Sequence, residues 1–115
     1  MILSSAVSAW VCAEPIDMRK SIDGLAALVA PLLGMDALSG QVFVFVGKRR
    51  NKVKLLVWDR HGFWCLYKRL ERGRFTDPRR IASGGIAMAE LTAWLEGIDT
   101  SSVRHFAPVA ATLIG

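Results

Sequence analysis

The sequence has little of what metal sites and disulfide frameworks are built from. It contains two cysteines and two histidines in 115 residues, and Cys12 and Cys65 have neither a second cysteine nor a histidine pair at metal-ligand spacing. A metal, a disulfide and a bound cofactor are therefore not expected. Both thiols are expected to be small buried side chains, kept reduced in the cytoplasm.

Long apolar runs and a secretory leader are also lacking. No stretch approaches the roughly 20 apolar residues that cross a bilayer. Residues 1–15 have no basic segment before their apolar part, which fits a secretory signal poorly. We therefore expect a cytoplasmic protein that does not engage a membrane.

Catalytic motifs are missing from the sequence as well. There is no G-x-S-x-G segment, and neither His61 nor His105 has a cysteine or serine partner at a familiar spacing. Gly47 and Lys48 are followed by Arg49 and lack the upstream glycine of a phosphate loop. Aspartates are scattered through the first half, as a two-metal nuclease would need, but each has a structural explanation. We expect a protein without enzymatic activity.

Positive charge, in contrast, is abundant and concentrated. The net charge is +5, yet residues 48–80 hold twelve Lys/Arg against three Asp/Glu, a local charge of +9 that leaves −4 for the rest. Such a basic segment is typical of proteins that bind polyanions. The alternative is a basic, solvated rim without a ligand.

The first third of the chain predicts a strand followed by a helix. Residues 7–13 are short and favour β structure. Asp17 is a suitable N-cap, after which apolar residues recur at helical spacing. Pro31 is expected to disturb this helix and Gly34 to end it.

Three further apolar segments predict an antiparallel meander. They are residues 41–46, which are apolar on both faces, residues 52–58 and residues 63–70. Their connections are too short for parallel crossovers. A flexible joint at residues 83–85 is expected to precede a second helix over about residues 87–96.

These elements together predict an α+β fold. Three to four antiparallel strands would pack with an N-terminal helix and a C-terminal helix. Residues 1–99 are expected to form one domain, and residues 100–115 a weakly structured tail.

The stretch WDRHGFWCLYKRLERGRF combines aromatic rings with Lys and Arg around a turn signal. Asp59 and Gly62 favour a three-residue hairpin loop with a G1 bulge, which would set Trp58 opposite Trp64. A four-residue loop would instead set Trp58 opposite Phe63. In either register both tryptophans are expected in the core, with the cations exposed at a rim.

Interleaved rings and cations are typical of surfaces that hold nucleic acid, because rings stack on bases while cations follow the backbone. Arg19 and Lys20 add a second candidate site, since cations in the first turn of a helix oppose its dipole and a bound anion would relieve that conflict. The candidate nucleic-acid-binding residues are Arg19, Lys20, Lys48, Arg49, Arg50, Lys52, Lys54, Lys68, Arg69, Arg72 and Arg74.

The order of these segments resembles a known family. PIDMRKSIDGLAALV followed by SGQVFVFVGKRRNKVKLLVWDRHGFWCLYKRLERGRF is similar to the small accessory protein of bacterial insertion sequence sixty-six elements. That protein is often labelled TnpB and is distinct from the RNA-guided nuclease of the same label. The resemblance covers about residues 13–95. It implies a protein encoded beside a large transposase, needed for efficient movement of the element and without assigned catalytic residues.

Two departures from that family are visible. Its members commonly carry an aromatic residue shortly after GRF, whereas GRFTDP stands here. Their tails tend to be rich in Arg and Pro, whereas this chain has few charges after Arg104. A contact between the tail and DNA is therefore not expected.

Two functions remain open on this basis. The first is a non-enzymatic accessory protein of DNA transposition that contacts DNA mostly through backbone phosphates. The second is an interaction module that docks on the transposase or forms a homodimer, without touching DNA. The run QVFVFV supports the second, because a strand that is apolar on both faces needs two covers and the chain has about two helices.

Overall fold

The computed structural model describes residues 7–81 and 84–97, and its centre is a five-stranded mixed sheet. The strands are β1 (Ser8–Val11), β2 (Val42–Val46), β3 (Lys52–Asp59), β4 (Gly62–Arg69) and β5 (Gly85–Ala87), in the spatial order β4-β3-β2-β1-β5. The helices are α1 (Ile22–Leu28), which continues into a π-helical turn (Val29–Leu33), a short 3-10 helix (Pro78–Arg80) and α2 (Met88–Leu95). The α+β prediction is confirmed, and so are both predicted helices.

The sheet is larger and more mixed than predicted. β2, β3 and β4 pair antiparallel in chain order, as a meander requires. β1, however, pairs parallel with β2 and antiparallel with β5. The prediction of three to four antiparallel strands was wrong because short connections constrain only the strands that they join. The connection from β1 to β2 is long and contains α1, so it can return the chain to a parallel neighbour.

β2 is the central strand and is covered on both sides by the chain itself. All five of its residues are buried. On one side, called the α1 face, Phe43 of β2 and Leu56 of β3 pack with Leu25 of α1. On the other, called the α2 face, Val44 packs with Leu91 of α2. The two covers that QVFVFV needs are therefore present within one molecule.

Helix α1 begins later than predicted. Its N-cap is Ser21 rather than Asp17. The Asp17 carboxylate instead accepts a hydrogen bond from the backbone N–H of Arg19, two residues on, and this local turn competes with helical hydrogen bonding. The predicted end is confirmed, because Gly34 adopts a left-handed conformation (φ 64°) that favours glycine. Pro31, which has no N–H to donate, lies in the widened π-helical turn.

A flexible joint was predicted at residues 83–85, of which the structure describes Gly84 and Gly85, and Gly85 belongs to a strand. Gly85 begins β5 and lies opposite Trp10 of β1. A Cβ at Gly85 would lie 3.1 Å from the Trp10 indole and 3.1 Å from Ser8 Cβ. The glycine is therefore needed for close packing against a ring, a use of glycine that sequence alone does not distinguish from flexibility.

The β3–β4 hairpin adopts the alternative register. Trp58 lies opposite Phe63, and Asp59 lies opposite Gly62, so the bulged loop was the wrong prediction. Arg60 has φ 58°, which completes a tight turn without an inserted residue. Trp64 was expected in the core but lies on the α2 face with 43% of its surface exposed, because α2 reaches β4 at Leu95, beside Leu66 and Lys68. Trp58 is half-buried and meets the Phe63 ring edge-on at 5.0 Å.

Helix α2 begins and ends within one residue of its predicted bounds and covers the core on the α2 face. Trp94 is fully buried. Its ring stacks on Phe75 at 4.8 Å, and its indole N–H donates to the carbonyl of Thr76. The predicted tail over residues 100–115 lies outside the described residues.

Candidate nucleic-acid interface

One end of the sheet collects most of the cations. β1 and β2 are parallel, so their carboxyl ends lie side by side, and the N–H of Ile16 extends their pairing by donating to the carbonyl of Val46. The turn from β2 to β3 and the loop before the 3-10 helix join them there, because the N–H of Phe75 donates to the carbonyl of Arg50. The carboxyl ends of parallel strands are where open sheets commonly bind ligands.

A cleft of about 550 Å³ opens at this end. Four of its lining residues are basic, namely Lys48, Arg50, Arg74 and Arg79, and two are acidic, namely Glu14 and Asp77. The rest of the lining is small or apolar and consists of Ala13, Pro15, Val46, Gly47 and Pro78. We call this surface the cationic cleft.

Within the cationic cleft, Asp77 is already neutralised by its neighbours. Its carboxylate accepts from the guanidinium and the backbone N–H of Arg79, at 2.8 Å and 3.0 Å, and lies 3.9 Å from Arg50. These contacts, first of all the Arg79 side-chain hydrogen bond, lower the pKa of Asp77 from 3.8 to about 2. The carboxylate is therefore ionised at neutral pH and fixes Arg79, while Lys48 and Arg74 form no hydrogen bond or ion pair within the described parts of the chain.

Arg50 holds an uncommon backbone conformation at the rim of the cationic cleft. Its φ is 58°, which costs free energy in a residue other than glycine. The N–H of Arg50 donates to the carbonyl of Gly47 at 2.9 Å. Gly47 in turn leaves no room for a side chain, because a Cβ there would lie 2.9 Å from Met18 Cγ. The β2–β3 turn is thus fixed from both sides.

Three of the eleven candidate residues line the cleft itself, and others lie beside it. Lys48, Arg50 and Arg74 are lining residues. Arg49 belongs to the same turn, and Lys52 lies directly opposite Arg69 in the β3–β4 register. Arg72 is exposed in the loop that precedes Arg74.

The other candidates are engaged in contacts within the protein. Lys54 donates to the backbone carbonyl of Lys20 at 2.9 Å and lies 5.3 Å from the centre of the Tyr67 ring. Lys68 is on the α2 face and donates to the carbonyl of Leu95. Arg69 is paired with the exposed Glu71.

The anion site predicted at the start of α1 does not have its predicted geometry. Arg19 and Lys20 precede the helix, whose N-cap is Ser21. Arg19 pairs with Asp17 at 2.8 Å, and this contact lowers the pKa of Asp17 to about 2. The conflict with the helix dipole that motivated the site is therefore absent.

Arg79 is a lining residue of the cationic cleft that sequence reasoning left out. The signal available was Asp77 followed by Pro78, which together favour a short helical turn with Asp as its cap. Such a turn directs the next residue back onto the cap, as the Arg79–Asp77 pair does.

The aromatic rings of the hairpin do not form one stacking face. Trp58, Phe63 and Tyr67 are on the α1 face, whereas Trp64 is on the α2 face. Tyr67 is the most exposed of them, at 55%. The hairpin therefore supports contact with nucleic-acid phosphates better than stacking of its rings on a row of bases.

The described parts of the chain give little support to metal binding, membrane insertion or a reactive thiol. They contain no group of three or more His, Cys, Asp or Glu that could hold a metal ion, and no helix in them is long and apolar enough to cross a membrane. Cys12 is buried as predicted, whereas Cys65 is half-buried, and burial raises the pKa of both thiols. Neither is therefore poised as a nucleophile.

Comparisons with known proteins agree with the resemblance noted in the sequence. The family model described as IS66 Orf2 like protein matches residues 7–105. Among curated proteins, the chain is 32% identical over 104 residues to the uncharacterized protein y4jC of Sinorhizobium fredii, covering 89% of this chain and 88% of that one. It is 38% identical over 96 residues to the uncharacterized protein y4hO of the same organism, covering 81% and 82%. No solved structure matches the chain.

Proposed function

Since the chain belongs to the IS66 Orf2-like family of transposition accessory proteins, we propose that it contributes to transposition by contacting DNA through the cationic cleft. The observation that carries the proposal is the convergence of Lys48, Arg50, Arg74 and Arg79 on one cleft. Its two carboxylates leave an excess of two positive charges, and Asp77 is already satisfied by arginines.

Phosphate is the part of DNA that this surface suits. Lys and Arg side chains supply point charges and forked donors to phosphate oxygens. The described elements include no helix projecting cations for insertion into a major groove, since α1 and α2 cover the sheet. Binding is therefore expected to be mostly electrostatic and weakly dependent on sequence.

The experiment is a salt titration of binding. A labelled duplex from the end of the element and a scrambled duplex are titrated by fluorescence anisotropy at several salt concentrations. If about five phosphates are neutralised, the slope of log K against log salt is near −4 to −5. A flat response, with binding unchanged by salt, contradicts the proposal.

A matched pair of variants separates the cleft from net charge. Arg74→Gln removes a cleft cation, whereas Arg60→Gln removes an exposed cation from the β3–β4 turn at the opposite end of β3. Arg74→Gln is expected to flatten the slope by about 1 and weaken binding roughly tenfold at 0.1 M salt, while Arg60→Gln leaves both unchanged. Equal losses in the two variants would show that total charge alone attracts DNA.

The proposed docking on the element's transposase rests on a different surface than the sequence suggested. The run in β2 is covered on both faces, so it offers nothing to a partner. Exposed apolar side chains are found on β4 instead, where Trp64, Leu66 and Tyr67 lie. A protein partner, whether the transposase or a second copy of this chain, is therefore best sought at that strand.

A further inference from the structure

β4 is a long edge strand whose protecting charges, Lys68 and Arg69, are confined to its carboxyl end. Within residues 7–81 and 84–97, no strand pairs with its outer side, since β4 is the end of the sheet. It runs for eight residues, Gly62–Arg69, in unbroken register with β3. It contains neither proline nor a bulge, two of the devices that commonly prevent pairing between exposed edges. Among the described residues, its outer edge therefore has no partner strand.

Exposed apolar side chains accompany this free edge on the α2 face. Trp64 and Leu66 are 43% and 37% exposed. Leu66 also borders an apolar groove of about 200 Å³ that is lined by Val53, Leu55, Leu66, Tyr67, Lys68 and Leu95. Large exposed apolar side chains beside a free strand edge are typical of an interaction surface.

The backbone hydrogen-bonding groups of β4 point alternately towards β3 and away from it. The N–H of Leu70 donates to the carbonyl of Asn51 in continuation of the β3–β4 register. In an antiparallel ladder, alternate residues direct their backbone groups to the same neighbour. Even-numbered residues of β4 therefore bond to β3, and the odd-numbered residues Phe63, Cys65, Tyr67 and Arg69 direct N–H and C=O outward.

We propose that the partner is a second copy of this chain, whose β4 pairs antiparallel with the first about a two-fold axis at Leu66. Two β4 strands related in this way continue each face of the sheet into the other copy and form a ten-stranded sheet. The two Leu66 side chains are neighbours at the axis, and the two apolar grooves lie on the same side. Cys65 of each copy exchanges backbone hydrogen bonds with Tyr67 of the other.

Charge distribution favours the axis at Leu66 over axes at Cys65 and Lys68. With this register Lys68 lies opposite Trp64 and Arg69 opposite Phe63, so each cation meets an aromatic ring. An axis at Lys68 would place like charges directly opposite, which is destabilising. An axis at Cys65 would set Lys68 opposite Gly62 and leave Arg69 beyond the paired strands.

The oligomeric state tests the proposal. The mass of the full chain, measured by analytical ultracentrifugation over a range of concentrations, is expected to be that of a dimer. Leu66→Lys places two ammonium groups side by side at the axis and is expected to raise the dimer dissociation constant at least about tenfold. Leu38→Lys is the matched control, because Leu38 is also an exposed apolar residue, at 53%, and lies outside β4. Thermal unfolding of both variants verifies that each is folded.

A cysteine scan tests the register. Leu66→Cys in a Cys65→Ala background is expected to form a disulfide-linked dimer under mild oxidation, because residues opposite one another at non-hydrogen-bonded positions have Cα atoms about 4.5 Å apart. The wild type is expected to crosslink poorly, since Cys65 lies opposite Tyr67 of the other copy. Efficient crosslinking through wild-type Cys65 overturns the Leu66 axis. A wild type that is monomeric overturns the proposed dimer. That result is expected if residues 98–115 of the same chain cover the outer edge of β4.

Discussion

At the scale of single residues, the same arrangement occurs twice. Asp17 and Asp77 each accept a hydrogen bond from the backbone N–H of the residue two positions on, and from the guanidinium of that residue, Arg19 or Arg79. In both cases the side-chain hydrogen bond to the arginine lowers the pKa of the aspartate to about 2. The environments differ, because the Asp77 side chain is 21% exposed and also meets Arg50, whereas Asp17 is 45% exposed.

These depressed pKa values predict an acid-sensitive contribution to stability. A carboxylate whose pKa falls from 3.8 in the unfolded chain to about 2 in the folded chain stabilises the protein above pH 4. That contribution declines as the pH falls from about 4 to about 2, because protonation then favours the unfolded chain. Asp77→Asn keeps an N-cap oxygen but removes the charge, so its melting temperature is expected to be lower than wild type at pH 7 and to approach it at pH 2.

Melting temperatures measured by circular dichroism from pH 7 to pH 2 test this expectation. Asp17→Asn is the comparison, and its effect at pH 7 is expected to be smaller because its more exposed ion pair is better screened by solvent. A wild type and an Asp77→Asn variant with parallel melting curves over the whole pH range would contradict it.

At the scale of elements, β5 depends on one glycine. Gly85 lies opposite Trp10, and a methyl group there would be crowded, 3.1 Å from the indole. Gly85→Ala is expected to destabilise the fold by about 1–3 kcal/mol, the usual cost of overpacking. The measurement is urea denaturation.

A double-mutant cycle identifies the cause of that loss. In a Trp10→Val background the crowding ring is gone, so Gly85→Ala is expected to cost less, with a coupling energy of about 0.5–3 kcal/mol. If the two substitutions were additive, steric contact with the ring would not be the reason for glycine at this position.

The elements also show what the sequence could predict. Local signals were sufficient for α2, for the end of α1 at Gly34 and for the meander of β2 to β4, since each depends on periodicity or short connections. The parallel pairing of β1 and the existence of β5 were not predictable in this way. They depend on contacts between residues far apart in the chain, such as Trp10 and Gly85, and a three-residue strand carries almost no periodicity.

For the candidate site, the sequence predicted which residues are basic but not how the fold brings them together. The basic segment identified Lys48, Arg50 and Arg74, but their shared cleft exists because the parallel β1–β2 pair brings Pro15 to the same end of the sheet. The prediction that the hairpin rings lie in the core failed for Trp64, because burial there depends on how far α2 reaches. A one-residue uncertainty in register was enough to leave the faces of β4 unassigned.

At the scale of the whole molecule, the two proposed surfaces lie in different directions. The cationic cleft is at the end of the sheet where β1 and β2 finish, whereas the free edge of β4 is at the side. A two-fold axis at Leu66 reverses the strand direction of the second copy. The two clefts of a dimer therefore lie at opposite ends of the ten-stranded sheet, offset by about 27 Å along the strands and by five strand spacings, about 24 Å, across the sheet between the two copies of β2.

A dimer of this geometry is expected to hold two DNA duplexes at once. Energy transfer between a donor-labelled and an acceptor-labelled duplex should rise as wild-type protein is added, and fall again when protein exceeds DNA, because each dimer then holds a single duplex. Leu66→Lys should bind each duplex but give no transfer, whereas Leu38→Lys, which adds the same charge away from β4, should behave as wild type.

Arg74→Gln should lower binding and transfer together, since it alters the cleft and leaves the dimer intact. Transfer by Leu66→Lys equal to that of Leu38→Lys would mean that bridging does not require the β4 pairing, and separates that failure from a failure of the cleft to bind DNA.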